Sequence, residues 1–119
     1  MKNRDIMILK KITQYCGEIA ETIERFELTF DMFDSDIVPR YTISMCILQI
    51  GELANKLTPE LRATYNEVPW RDIISMRHRA VHDYESVDME TLWNIVTKNV
   101  PVLKKYCETI LVQIEEKEG

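Results

Sequence analysis

The chain has 119 residues and a mass of 14.1 kDa, enough for one hydrophobic core and too short for two. Its 45% hydrophobic and 29% charged residues are the proportions of an ordinary globular protein, and no apolar run approaches the length of a membrane span. The net charge of -5 and isoelectric point near 5.1 exclude a broad basic face that grips duplex nucleic acid, so any such contact must be local. Met1-Lys2-Asn3-Arg4-Asp5 leads into charged helix rather than a signal-peptide core, which predicts a cytoplasmic protein without membrane association. Cys16, Cys46 and Cys107 are odd in number, far apart and in no C-x-x-C pair, which predicts buried thiols rather than disulfides or a thiolate metal site.

The hydrophobic period is helical throughout, with no two-residue alternation. Leu9, Ile12, Cys16, Ile19, Ile23, Phe26 and Phe30 recur every three or four residues and predict one stripe of a long first helix. The acids and proline between Thr29 and Pro39 predict a turn or short helix. A second long helix follows from Ile43, Ile47, Ile50, Ala54 and Leu57. Thr58 before Pro59 reads as an N-cap with proline at the first helical position, opening a short helix to about Tyr65. Pro69 opens the next helix. Asp88 is a suitable cap for the last one, whose stripe is Met89, Trp93, Val96, Val100, Leu103, Cys107, Ile110 and Ile114. Pro101 lacks an N–H and crowds the preceding turn, so a bend is expected there. The charged tail from Glu115 to Gly119 is expected to fray. Long amphipathic stripes bury one another most economically in a bundle, so residues 1–119 are read as a single all-α, up-and-down domain of four to six helices.

The chemistry concentrates in Arg77-His78-Arg79-Ala80-Val81-His82-Asp83-Tyr84, an R-x4-H-x-Y run. An arginine can hold a phosphate through paired charge-assisted hydrogen bonds, and a histidine can move protons near neutral pH. Between Arg71 and His82 there are three arginines and two histidines against one acid, Asp72, a small positive patch in an acidic chain. On a regular helix Arg77 falls within roughly 40° of Trp70, Ile73, Val81 and Tyr84, so the arginine sits on an apolar stripe. His82 is turned away by roughly 140° and continues the polar row Arg71, Ser75 and His78. For Arg77 and His82 to share one phosphate, the helix must end near His82, a second chain must supply its own motif, or both. This geometry favours a twofold homodimer with the motif helices at its seam.

Each residue also has a plain structural reading. Arg77 could pair with a carboxylate such as Glu52, His78 and His82 at i, i+4 could hold a metal but lack an evident third ligand, and Tyr84 could close the helix by packing. Trp70 and Trp93 are read as core.

Several ordered blocks resemble the HepT-like ribonucleases of the HEPN superfamily. Ile50-Gly51-Glu52-Leu53-Ala54-Asn55-Lys56-Leu57 with Thr58-Pro59-Glu60-Leu61-Arg62 is similar to the family's middle helix and its exit. The run from Val68 to His78 resembles the entry to the family's catalytic helix, and Thr91-Leu92-Trp93-Asn94-Ile95-Val96 with Pro101-Val102-Leu103 resembles the closing helix. His78 is a departure, since the family commonly carries asparagine after the motif arginine. The resemblance implies a HEPN-type fold and the toxin of a type VII toxin–antitoxin system, paired with a minimal nucleotidyltransferase antitoxin. It further implies that Tyr84 is the target of adenylylation by that partner.

Residue chemistry and resemblance together predict metal-independent cleavage of single-stranded RNA, with no cofactor, in which His82 moves protons and Arg77 holds the phosphate. Arg71, His78 and Arg79 are expected to make secondary RNA contacts. The residues also admit a non-catalytic HEPN module that binds nucleotide or RNA and serves as an interaction partner of a nucleotidyltransferase.

Overall fold

A computed structural model describes residues 3–82 and 89–118, with the side chains of 79–82 and 118 left aside. Every regular element among the described residues is helical: α1 (Asn3–Arg25), α2 (Phe30–Ser35), α3 (Ile37–Asn55), α4 (Pro59–Thr64), α5 (Trp70–His82), α6 (Met89–Asn94), a π-helical turn (Ile95–Asn99) and α7 (Val100–Glu118). The last three follow one another without a gap, so they form one long irregular helix. The most extensive packing is α3 against α5, then α1 against α3 and α7. The three long stripes therefore meet in one core, where Leu9, Ile12, Ile19, Ile43, Ile47 and Ile50 are wholly excluded from solvent. Burying each such side chain stabilises the fold by about 1.5–3 kcal/mol.

The first helix ends earlier than its stripe predicts. Glu27 has a φ of 48°, a left-handed conformation that stops α1 after Arg25. The Leu28 amide donates to the Ile23 carbonyl at 2.9 Å and the Glu27 amide to the Glu24 carbonyl at 3.2 Å, and Leu28 is buried. This is a Schellman stop with glutamate where glycine is usual. Phe26 and Phe30, expected on the first helix, thus lie outside it: Phe26 is partly exposed and Phe30 opens α2. The expected short helix before Pro39 is α2, where Phe30 and Phe33 pack against Trp93 with ring centroids 6.5 and 5.2 Å away. The Thr29 hydroxyl accepts from the Met32 amide and the Asp36 carboxylate from the Val38 amide, so both α2 and α3 begin on side-chain caps.

Thr58 caps α4 as its position before Pro59 predicts, its hydroxyl accepting from the Leu61 amide at 3.2 Å. It is itself held by Asp5, a fully buried carboxylate that accepts from the Thr58 amide at 3.0 Å and its hydroxyl at 2.7 Å. Two charge-assisted bonds offset the cost of removing that carboxylate from water. The disruption expected of Pro101 takes the form of the π turn just before it, in which the Val100 amide reaches the Ile95 carbonyl. A wide turn relieves the crowding of the proline ring against the carbonyl four residues earlier. Asp88, the expected cap of the last helix, lies outside the described residues.

Candidate active site

The motif helix α5 is positioned at two points. Its start is anchored by Trp70, which is buried and donates its indole N–H to the Tyr65 carbonyl at 3.1 Å. The Ile73 amide donates to the Pro69 carbonyl at 3.1 Å, so Pro69 sits at the mouth of the helix. The second point is the crossing with α3 at Gly51. A methyl group on Gly51 would stand 2.8 Å from Arg77 Cβ, 3.0 Å from the Arg77 nitrogen and 3.2 Å from the Ile74 carbonyl oxygen. Only a residue without a side chain lets the two helices approach so closely, and the contact falls on the motif arginine. Sequence reasoning passed over Gly51 as a positioning residue. A glycine embedded among Ile47, Ile50 and Ala54 was the available signal, because glycine inside a helical stripe commonly marks a close approach.

Arg77 lies at the edge of the apolar face, beside buried Trp70, Ile73 and Met76, as the helical arithmetic predicts. Its side chain keeps 32% of its surface exposed. Nη1 stands 3.5 Å from Glu52 Oε1, so the carboxylate weighed as a plain structural partner is indeed its neighbour. At this length and exposure the pair contributes about 0–1 kcal/mol and engages one corner of a guanidinium that carries five N–H donors. Glu52 can therefore orient Arg77 without saturating it. Arg71, Ser75 and His78 form the expected exposed row on another face of α5. His82 completes the described backbone of α5, turned from Arg77 by roughly 140° around a regular helix. The side chains of Arg79 and His82, and the whole of Tyr84, lie outside the described residues.

The cysteines offer no competing nucleophile. Burial pushes the Cys16 thiol up to about 12, against a smaller opposing effect of Lys104, and burial likewise pushes Cys46 to about 11 and Cys107 to about 12. Such thiols stay protonated and unreactive at neutral pH. Among the described residues no group of three His, Cys, Asp or Glu side chains is placed to hold a metal ion. No helix among them is long and apolar enough to cross a membrane.

The described residues form an all-α bundle of the HEPN type, with Arg77 and His82 on its fifth helix. Residues 12–110 match the family model described as ribonuclease HepT-like. The chain belongs to that family. It is 29% identical over 118 residues to MJ0125 of Methanocaldococcus jannaschii, provisionally named an RNase, covering 98% of this chain and 100% of that one. TTE0752 of Caldanaerobacter subterraneus, also provisionally named an RNase, is 30% identical over 103 residues, covering 87% of this chain and 90% of that one. A provisionally named ribonuclease HepT of Thermococcus cleftensis is 30% identical over 95 residues, covering 76% of this chain and 86% of that one. No solved structure gives a significant match.

Proposed function

We propose that this protein is a metal-independent ribonuclease, the toxin of a type VII pair with a minimal nucleotidyltransferase antitoxin. The observation that carries the reading is Arg77: an arginine seated on the apolar edge of α5 by the Gly51 crossing, yet one-third exposed and only loosely held by Glu52. A purely structural ion pair gains nothing from that exposure, whereas a phosphate ligand requires it. Family membership and the RNase names of the relatives support the same chemistry.

In the proposed reaction the ribose 2'-oxygen attacks the adjacent phosphorus and the bond to the 5'-oxygen breaks, leaving a 2',3'-cyclic phosphate and a 5'-hydroxyl. A neutral His82 accepts the 2'-OH proton, and an imidazolium returns a proton to the leaving 5'-oxygen, a role typically worth about 10²–10⁴-fold. Arg77 holds the phosphoryl oxygens as negative charge builds on them. The divergence of Arg77 and His82 favours a twofold dimer that joins the arginine of one chain to the histidine of another. The solvent face of α3 supports that seam: Ile37, Tyr41 and Met45 are 54%, 49% and 55% exposed. With Leu48 they fall within about 80° of arc, and Glu52, the neighbour of Arg77, lies on the same arc. An apolar strip ending at the motif suits a second copy of the chain.

Cleavage of single-stranded RNA by purified protein, with and without EDTA and beside His82→Ala, tests the reading. Activity that survives EDTA and is lost in His82→Ala is expected. Activity that needs a divalent ion, or persists in His82→Ala, refutes the mechanism.

A further inference from the structure

The polar side of α5 borders a cleft of about 370 Å³ between the motif helix and the long final helix. Its walls are apolar, from Ile73 and Met76 of α5 and Ile95, Val102 and Leu103 opposite. Asp72, Ser75, Thr91, Asn99 and Tyr106 supply the polar part of the lining. The first and last residues of the π turn, Ile95 and Asn99, both line this cleft. Wide turns of this kind recur where a helix is bent to a functional purpose.

Three properties restrict the occupant. The size falls at the low end of the roughly 300–1,000 Å³ range of small-ligand sites, which suits a single planar ring system. Among the described lining residues there is one carboxylate and no cation, so a phosphate is disfavoured and a neutral group presenting N–H donors is favoured. The third property is position. Ser75 and His82 are seven residues apart, so they share a face of α5 to within about 20° and stand about 10 Å apart along its axis. That separation is on the order of one or two nucleotides of an extended single strand, whose bases are free to turn into a pocket.

We infer that this cleft is a base-selecting subsite, seating a nucleobase with an exocyclic amine, one or two nucleotides from the bond that is cut. The assignment rests on the ribonuclease reading. Asp72 accepts hydrogen bonds from the amine of adenine, cytosine or guanine, Asn99 offers a donor and an acceptor to the neighbouring ring atoms, and Tyr106 supplies a face for stacking. Uracil has a ring N3–H but carries a carbonyl oxygen where cytosine has its exocyclic amine, so a carboxylate placed for that amine meets an acceptor and is repelled.

Two measurements test this on the whole protein. Sequencing the ends produced from a random single-stranded RNA pool should show one fixed position near the cut enriched about tenfold in amine-bearing bases over uridine, and Asp72→Ala should flatten it. Titration with adenosine, cytidine or uridine, followed by methyl NMR, should move Ile73, Ile95 and Val102 signals with the first two nucleosides and not with uridine. Asp72→Ala should abolish those shifts. If RNA is cut without a base preference, or with a preference that Asp72→Ala leaves intact, the subsite is overturned and the ribonuclease reading stands. If no RNA is cut, the ribonuclease reading falls and the titration alone decides: discriminating methyl shifts keep the cleft as a nucleobase site, and their absence overturns it.

Discussion

Replacing Gly51 with alanine should damage the protein twice, and by different amounts. The added methyl would meet Arg77 Cβ at 2.8 Å, where ordinary contact begins at 3.4 Å, and two of the three atoms it meets belong to backbone. No side-chain rotation can relieve such a clash, so α3 and α5 must part. Forcing a methyl into a packed helix crossing costs about 1–3 kcal/mol, against a gain of about 1 kcal/mol from alanine's better helix propensity. The net expectation is destabilisation of about 0–2 kcal/mol, read as a lower urea midpoint with an unchanged slope. RNA cleavage should fall further, up to about a hundredfold, because Arg77, the proposed phosphate ligand, would then be displaced by a substantial fraction of an ångström. Gly17 supplies the control. It also lies inside a helix, yet a methyl there would meet nothing within 4 Å. Gly17→Ala should raise stability by about 0.5–1 kcal/mol and leave cleavage unchanged. If Gly51→Ala is as stable and active as the parent, the argument that this crossing positions Arg77 is wrong.

Glu27→Gly should stabilise by about 0.5–1 kcal/mol in urea unfolding, because its φ of 48° is one that glycine adopts without strain. The three thiols should resist alkylation in the folded protein at pH 8 and react on unfolding, since burial raises all of them from an ordinary 9.0 to between about 11 and about 12. By linkage the unfolded chain loses these protons first as pH rises, so their contribution to stability is intact below about pH 9 and declines from there toward pH 11–12, observable in alkaline melts. Tyr84→Phe should fold normally and gain no AMP-sized mass increment from the cognate nucleotidyltransferase with ATP and magnesium, whereas the parent should. Increments on the variant, or none on the parent, refute Tyr84 as the acceptor.

The parts of the fold that follow a period are the parts that can be read from the letters. Ile43, Ile47, Ile50 and Ala54 announce α3, and Thr58-Pro59 marks the start of α4, because each signal is local and chemically specific. The end of α1 is hidden because the residue in the left-handed conformation is a glutamate, which nothing in its neighbourhood distinguishes from a helix former. Asp5 reads as one more charge at the start of a charged helix, and its burial depends on Thr58, 53 residues away. Within the candidate site, the apolar-edge placement of Arg77 and its neighbour Glu52 follow from helical geometry and a guess about the facing helix. The cleft facing Asp72 does not, because the π turn that completes it leaves the hydrophobic stripe uninterrupted.

That same turn is where the final helix could lose a residue without losing its register. A π turn spreads one extra residue over about the rotation of an α turn, so removing one residue between Ile95 and Asn99 would let an unbroken α-helix form with more regular backbone bonding. Val100, Leu103, Cys107, Ile110 and Ile114 would keep their phase relative to Leu92 and stay directed at the core. The same deletion inside α7 has no such slack and would rotate every residue beyond it by about 100°.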